Sequence, residues 1–150
     1  MSDIRIFYFD AAHAIREHDW IIENSGGLAG IREIGYLESV LDHIQNDLYY
    51  PEFEGKLSHL IFAINKFHAF NDGNKRSSIA LGAYFLELNG FDYCVTKFVC
   101  EMENIAVWLA EDKIGKELLG EIVVSIIMDD DYPEDLKLRI LHAVSGETGP

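Results

Sequence analysis

A chain of 150 residues, 49% of them apolar and only three of them proline, has material for one ordinary domain with a real core. That composition excludes global disorder and leaves too little chain for two comfortable domains. The net charge of −14 excludes the basic surface that direct nucleic-acid binding draws on, and it opposes docking on anionic membranes.

No apolar run approaches the length of a membrane span, and the opening MSDIRIFYF lacks a basic region followed by a long apolar core. Cys94 and Cys100 have no companion ligands at zinc spacing and read as reduced thiols. The acidity fits a soluble, cytoplasmic protein, or one whose partner is basic.

Ile4 to Phe9 is a short β-prone run. Asp10 is placed to cap a helix running to about Asn24, with Ala11, Ala14, Ile15, His18 and Ile22 along one face. The glycines of Ser25 to Gly30 cannot continue that helix. From Tyr36 the helical period returns through Leu37, Val40, Leu41 and Ile44. After the break at Tyr49-Tyr50-Pro51, Leu57, Leu60, Ile61 and Ile64 form another stripe, which delivers His68 at its end.

Ser77 to Leu88 is apolar nearly all round and belongs in the middle of a fold, with Gly90 as its left-handed terminator. Phe91 to Val95 suits a second short strand, and helices fit Val99–Ala110 and Lys116–Ile127. Asp129-Asp130-Asp131 reads as solvated. Pro133 opens a last helix carrying Leu136, Ile140 and Val144, and Ser145 to Pro150 should fray. The Trp and Tyr residues are expected in the core. The fold expected is a single, all-α, mostly helical bundle with little sheet.

The chemistry concentrates in His68-Ala69-Phe70-Asn71-Asp72-Gly73-Asn74-Lys75-Arg76, a polar loop opening straight into the buried helix. The first N–H groups of a helix are unpaired donors at the positive end of its dipole, so the junction is a natural anion site. Lys75 and Arg76 add full charges, and Gly73 lets backbone approach a phosphate closely. Asp72 can give Mg2+ an oxygen ligand, since that ion commonly takes one or two protein carboxylates and fills its shell with phosphate and water. His68 is the side chain of the loop suited to general-base work, typically worth about 10²–10⁴ in rate.

Each residue has a plainer reading. A histidine ending an apolar stripe is usually a hydrogen-bonded core residue, Asp72-Gly73 is an ordinary turn or cap, and Lys75-Arg76 could be a solvated first turn. Cations at a helix N-terminus oppose the dipole, however, and residues that break a local rule gather at functional sites. For His18 the structural reading is preferred, and His13, His43, His59 and His142 form no constellation.

The nine residues from His68 to Arg76 resemble the signature of the Fic/Doc superfamily, and the ending Asn-Lys-Arg is similar to its death-on-curing (Doc) toxins. Upstream, Gly26 to Ser39 resembles the Doc-type flap, with Glu33 where Asp is usual; downstream, Phe85 to Gly90 also matches. The resemblance covers roughly Phe9 to Ile127.

It implies a catalytic domain over residues 1–128, followed by an acidic extension, 129–150, with a short helix packed on the same domain. It implies His68 as the catalytic base and Asp72 as the metal ligand for ATP and Mg2+. Gly73, Asn74, Lys75 and Arg76 would hold phosphates, and Gly27, Leu28, Gly30, Ile31 and Arg32 would form a flap for the target. AMP-transferring relatives have Gly where Lys75 stands and a second Arg where Ile79 stands. The lysine goes with an inverted nucleotide and transfer of the γ-phosphate.

The expected function is therefore phosphorylation of a hydroxyl side chain on a protein such as elongation factor Tu, which arrests translation. An antitoxin acting in trans, with basic residues in its docking segment, completes the expectation. Adenylylation remains an alternative because Gly73 is retained, and a catalytically idle protein-binding scaffold is a second.

Overall fold

A computed structural model describes residues 5–146. Asp10 caps α1 (Ala11–Ser25), its Oδ1 accepting the His13 N–H at 2.9 Å. Glu33 does the same for α2 (Ile34–His43) through the Gly35 N–H. Then follow α3 (Phe53–Phe67), α4 (Asn74–Leu88), α5 (Val95–Ala110), α6 (Lys116–Met128) and α7 (Glu134–Ser145).

The centre is α3 packed on α4, with α5 and α6 against them. Leu57, Leu60, Ile61 and Ile64 of α3 meet Leu81, Phe85 and Leu86 of α4, all essentially without solvent contact. Each such side chain contributes about 1.5–3 kcal/mol of burial, so this pair of helices carries much of the driving force. Gly82 lets α5 in: a Cβ there would lie 2.8 Å from the Phe98 ring. Gly90 adopts φ +84, and the Phe91 N–H returns to the Leu86 carbonyl at 2.9 Å, the terminator expected after Leu88.

The two expected short strands do not form among the described residues. Ile4 lies outside them. Phe7 takes its backbone partners from one side-chain amide, donating to Asn89 Oδ1 (2.8 Å) and accepting from Asn89 Nδ2 (3.0 Å). Asp92–Cys94 is a tight 3-10 turn leading directly into α5, which begins earlier than the sequence suggested. A β-prone run without a neighbouring strand satisfies its hydrogen bonds elsewhere. The sheet content of the described residues is a single antiparallel bridge, Ile31 with Phe70.

Pro133 stands at the threshold of α7, which buries Leu136 and rests Ile140 and Val144 against the core. Arg139 grips Glu121 of α6 through both terminal guanidinium nitrogens, Nη1 and Nη2. Ser145 ends α7, and the fraying expected over 147–150 lies outside the described residues. Trp20, Tyr49 and Tyr93 are exposed rather than core residues. Both thiols are free, Cys94 buried and Cys100 exposed.

Candidate active site

Helix α3 ends at Phe67, and His68 then turns the chain with left-handed dihedrals (φ 54, ψ 53). A non-glycine residue in that region is uncommon and marks positions held for a purpose. The imidazole is exposed, and it has no hydrogen-bond partner among the described residues. That excludes the satisfied core histidine. It lines a cavity of about 610 Å³ together with Asn65, Asp72, Lys75, Arg76 and Glu111.

The loop after His68 is fixed from within. Phe70 is fully buried and stacks on the His18 ring at 3.9 Å, nearly parallel. His18 Nε2 donates to the Asp72 carbonyl at 2.6 Å. Asn74 closes the loop on itself, accepting the Phe70 N–H (3.2 Å) and donating to the Phe70 carbonyl (3.0 Å). Its side chain is therefore a staple, and only its backbone N–H is left for an anion.

The first N–H of α4 to find a helical acceptor is that of Ser77, on the Gly73 carbonyl at 2.9 Å. The N–H groups of Asn74, Lys75 and Arg76 have no acceptor among the described residues, and Gly73 has no side chain with which to cap them. Lys75 is exposed, without an ion pair among the described residues. Arg76 is partly committed: its Nη1 donates to Ser25 Oγ (2.5 Å) and to the Gly26 carbonyl (2.8 Å), tying α1 to α4.

Asp72 accepts the Leu28 N–H on Oδ2 (3.0 Å) and its neighbour Gly73 N–H on Oδ1 (2.7 Å). Those two bonds, followed by the charges of Arg76 and Lys75, hold its carboxyl below the ordinary range, so it is ionised. A carboxylate offers about four acceptor positions, and two are used. The ionised carboxylate fits Mg2+ as an oxygen ligand, and the unpaired N–H donors suit the phosphate that would fill the rest of its shell together with water. No cluster of three or more acidic, histidine or cysteine side chains exists among the described residues to compete for it.

The residues expected to form a flap come to the motif through backbone. Arg32 and Glu33 N–H groups both donate to the Ala69 carbonyl (2.8 and 2.9 Å), and the Asn71 N–H donates to the Gly30 carbonyl (3.1 Å). These bonds flank the Ile31–Phe70 bridge, making it the non-hydrogen-bonded kind of antiparallel pair. The N–H and C=O of Ile31 therefore face the other way, as an open edge. Leu28 is exposed, and Gly27 sits so close that a Cβ would lie 2.6 Å from Asp72 Oδ2.

Three supporting residues escaped sequence reasoning or were underrated by it. Asn65, almost fully buried, donates from Nδ2 to the Ala106 carbonyl at 3.0 Å. Lys66 clamps the end of α5, donating to the Leu109 carbonyl (3.2 Å) and to Asp112 Oδ1 (2.5 Å). His18 is structural, as expected, but the group it holds is the Asp72 backbone. Position one turn before the motif histidine was the available signal for Asn65. A second histidine cluster also went unread: His59 accepts from Lys116 Nζ at Nδ1 (3.1 Å) and stacks on Tyr50.

No helix among the described residues is long and apolar enough to cross a membrane. Comparison with known sequences gives two kinds of finding. The Fic/DOC family model matches residues 8–86. The chain is 35% identical over 116 residues to "Protein kinase doc" of Escherichia phage P1, an alignment covering 75% of this chain and 82% of that one. It is 31% identical over 104 residues to "Toxin Doc" of Mycolicibacterium smegmatis, covering 63% of this chain and 80% of the relative.

Proposed function

The chain belongs to the Fic/DOC family, and from that premise we propose that it acts as a Doc-like toxin, moving the γ-phosphate of ATP onto a hydroxyl side chain of a target protein. The observation that carries this reading is the uncapped start of α4, with three unpaired N–H groups and two cations beside an exposed, unpartnered imidazole.

In this reading the backbone N–H groups of Asn74, Lys75 and Arg76 receive the phosphate oxygens, and Lys75 and the free face of Arg76 add charge. Asp72 holds Mg2+, which when bound neutralises phosphate charge. His68 accepts the proton of the acceptor hydroxyl as its oxygen forms the new P–O bond, while the bond from the γ-phosphorus to the bridging oxygen breaks and ADP leaves. Gly27, Leu28, Gly30, Ile31 and Arg32 form the target-binding flap, whose outward Ile31 edge suits an extended target segment pairing by backbone.

Residues 1–128 then serve as the catalytic domain, and 129–150 as an extension whose α7 packs on it. The target is a protein of the translation apparatus such as elongation factor Tu, which sets the work in the cytoplasm. An antitoxin in trans would carry basic residues towards this surface of net charge −14, so its association rate should fall with added salt.

The test is transfer into elongation factor Tu with α- and γ-labelled ATP in parallel. Label from the γ position alone supports the kinase reading. Label from the α position makes the enzyme an adenylyltransferase, the second reading that retained Gly73 keeps open. Neither label in any target mixture would leave only the scaffold.

A further inference from the structure

Phe67, the last residue of α3, directly precedes His68 in the chain and is 44% exposed. Its ring meets Tyr36 of α2 edge to face, with centroids 6.4 Å apart, and meets Phe62 in the same way at 6.2 Å. Tyr36 is 51% exposed, and Ile31 and Ile34, close to it in the chain, are exposed as well. Edge-to-face contact is a favoured geometry for aromatic rings, so the pair is held in place while part of its surface stays in water. Apolar surface left in water beside the imidazole, on a molecule of net charge −14, asks for an occupant.

Backbone joins this patch to the edge at Ile31. The Glu33 N–H donates to the Ala69 carbonyl (2.9 Å) and the Tyr36 N–H to the Glu33 carbonyl (3.2 Å), so the chain runs from that edge straight into the turn carrying Tyr36. Two charged neighbours are committed elsewhere. Lys66 Nζ holds the Leu109 carbonyl and Asp112, and the Glu33 carboxylate caps the Gly35 N–H. Arg32 stays as an exposed cation at the margin. None of Ile31, Ile34, Tyr36 and Phe67 lines the cavity that holds Lys75 and Arg76. Phosphoryl transfer needs the attacking and leaving oxygens on opposite sides of phosphorus. With the nucleotide in that cavity, the acceptor comes from outside it. The aromatic pair and the Ile31 edge are the surface joined to His68 along the chain, through Phe67 before it and Ala69 after it.

We infer that Phe67 and Tyr36 form a specificity subsite for the protein target, taking an apolar side chain one or two residues from the acceptor hydroxyl. The inference rests on the reading of His68 as the base and of residues 27–32 as the flap. It adds what backbone pairing cannot supply, a preference among side chains. The spacing follows from reach. Neighbouring Cα atoms are about 3.8 Å apart and an extended segment advances about 3.3 Å per residue, so a segment whose hydroxyl sits at His68 passes Phe67 within two residues.

The experiment measures steady-state transfer from γ-labelled magnesium-ATP into elongation factor Tu by the unaltered protein, Phe67→Ser, Tyr36→Ser and Phe67→Leu. In each serine variant KM for the protein target should rise about five- to tenfold, the loss expected when an aromatic side chain no longer buries its exposed half. The value of kcat and KM for ATP should stay within about twofold, the pattern of lost target binding rather than lost chemistry. Phe67→Leu should restore most of the affinity. A fall in kcat with KM for the target unchanged would mean that Phe67 only shapes the turn at His68, and it overturns the subsite.

A second arm alters the target instead. The phosphorylated residue is mapped by mass spectrometry, and the nearest apolar residue within two positions of it is changed to serine. That target variant should lose by the same factor against the unaltered enzyme and lose nothing further against Phe67→Ser, because both changes remove one contact. Losses that multiply independently, or a modified residue with no apolar neighbour within two positions, overturn the inference and leave transfer itself standing. If elongation factor Tu takes no label, the reading of the site falls and this inference falls with it.

Discussion

His68 and Lys75 share a property that makes them separable from the fold: both are exposed, and neither side chain has a hydrogen bond or ion pair among the described residues. His68→Ala removes a proton acceptor and almost no packing. Transfer should fall by about 10²–10⁴, while stability changes by less than about 1 kcal/mol and nucleotide affinity stays within about twofold, as one bond's worth of binding is not involved. Single-turnover assays and thermal melting check this, and a wild-type rate would remove His68 from the chemistry. Lys75 is the residue that should decide which phosphate moves. In the proposed reading its side chain would fill the path that a glycine leaves past the start of α4, and it would place a charge there. Ile79, one turn on and half-buried against the core, stands where a cation would have held the far phosphates. Lys75→Gly should lower γ-label transfer, and adding Ile79→Arg should raise α-label transfer. Helix propensity alone costs the glycine variant roughly 1 kcal/mol, so it should still fold. If both variants move γ-label as the parent does, the lysine does not orient the nucleotide.

Between α1 and α2 the chain is neither helix nor strand, yet hydrogen bonds to the motif hold its backbone. Leu28, Arg32 and Glu33 donate into the motif, and Arg76 reaches back to Ser25 and Gly26. Gly27→Ala tests that arrangement. The new Cβ would lie 2.6 Å from Asp72 Oδ2 and 3.0 Å from Arg76 Nη2, at a φ of +122 that alanine resists. The positive φ costs an alanine roughly 1–3 kcal/mol, and relieving the clash either swings the Asp72 and Arg76 side-chain ends away from their Leu28 and Gly26 contacts or lifts this backbone. Amide exchange at Leu28, Arg32 and Asn71 should quicken, and transfer should drop with it; unchanged exchange would mean the flap is held by something else. The helices were legible because their stripes are long and their ends signalled: Asp10 caps, Gly90 terminates, Pro133 starts. The strands were not, because five or six β-prone residues cannot announce whether a partner exists, and Phe7 found an asparagine side chain instead. The motif loop was legible as chemistry through the local misfit of two cations at a helix start. Asn74's role as a staple was not, since the same amide could serve a phosphate or its own loop. Asn65 and Lys66 act through α5, forty residues away in sequence, and only the packing of α3 on α5 brings those partners together.

A molecule of net charge −14 should, on charge alone, gain stability on mild acidification as self-repulsion falls. One buried group opposes that trend. His59 sits between α3 and α6, and its pKa is pushed down to about 4 by burial first, then by Lys116 and His43. The geometry explains the sign: Nδ1 accepts from Lys116 Nζ at 3.1 Å, so protonating it would set two cations against each other, and the buried Nε2 has no partner among the described residues to spread the charge. Above about pH 6.5, the ordinary histidine value, the ring is neutral whether the chain is folded or not, and its contribution is fully present. Below that, the unfolded chain takes up a proton that the folded one refuses, so stability is lost progressively down to about pH 4. Asp72 acts later and for the opposite reason: its carboxyl is held down by Leu28 and Gly73, so its contribution persists above the ordinary carboxylate range and goes only at lower pH. Carboxylates held down by ion pairs, Glu121 by Arg139 among them, start to lose their contribution as the pH nears the ordinary carboxylate range, so the upper part of the window, from about 6.5 to about 5, is where His59 stands apart. Melting of the unaltered protein at pH 7, 6 and 5 should show a falling midpoint. His59→Gln, which keeps an acceptor for Lys116 and cannot titrate, should flatten the fall or reverse it. Parallel curves for the two proteins would show that the acid response is set elsewhere in the charge distribution, and His59 would then be only a packed side chain beneath Tyr50.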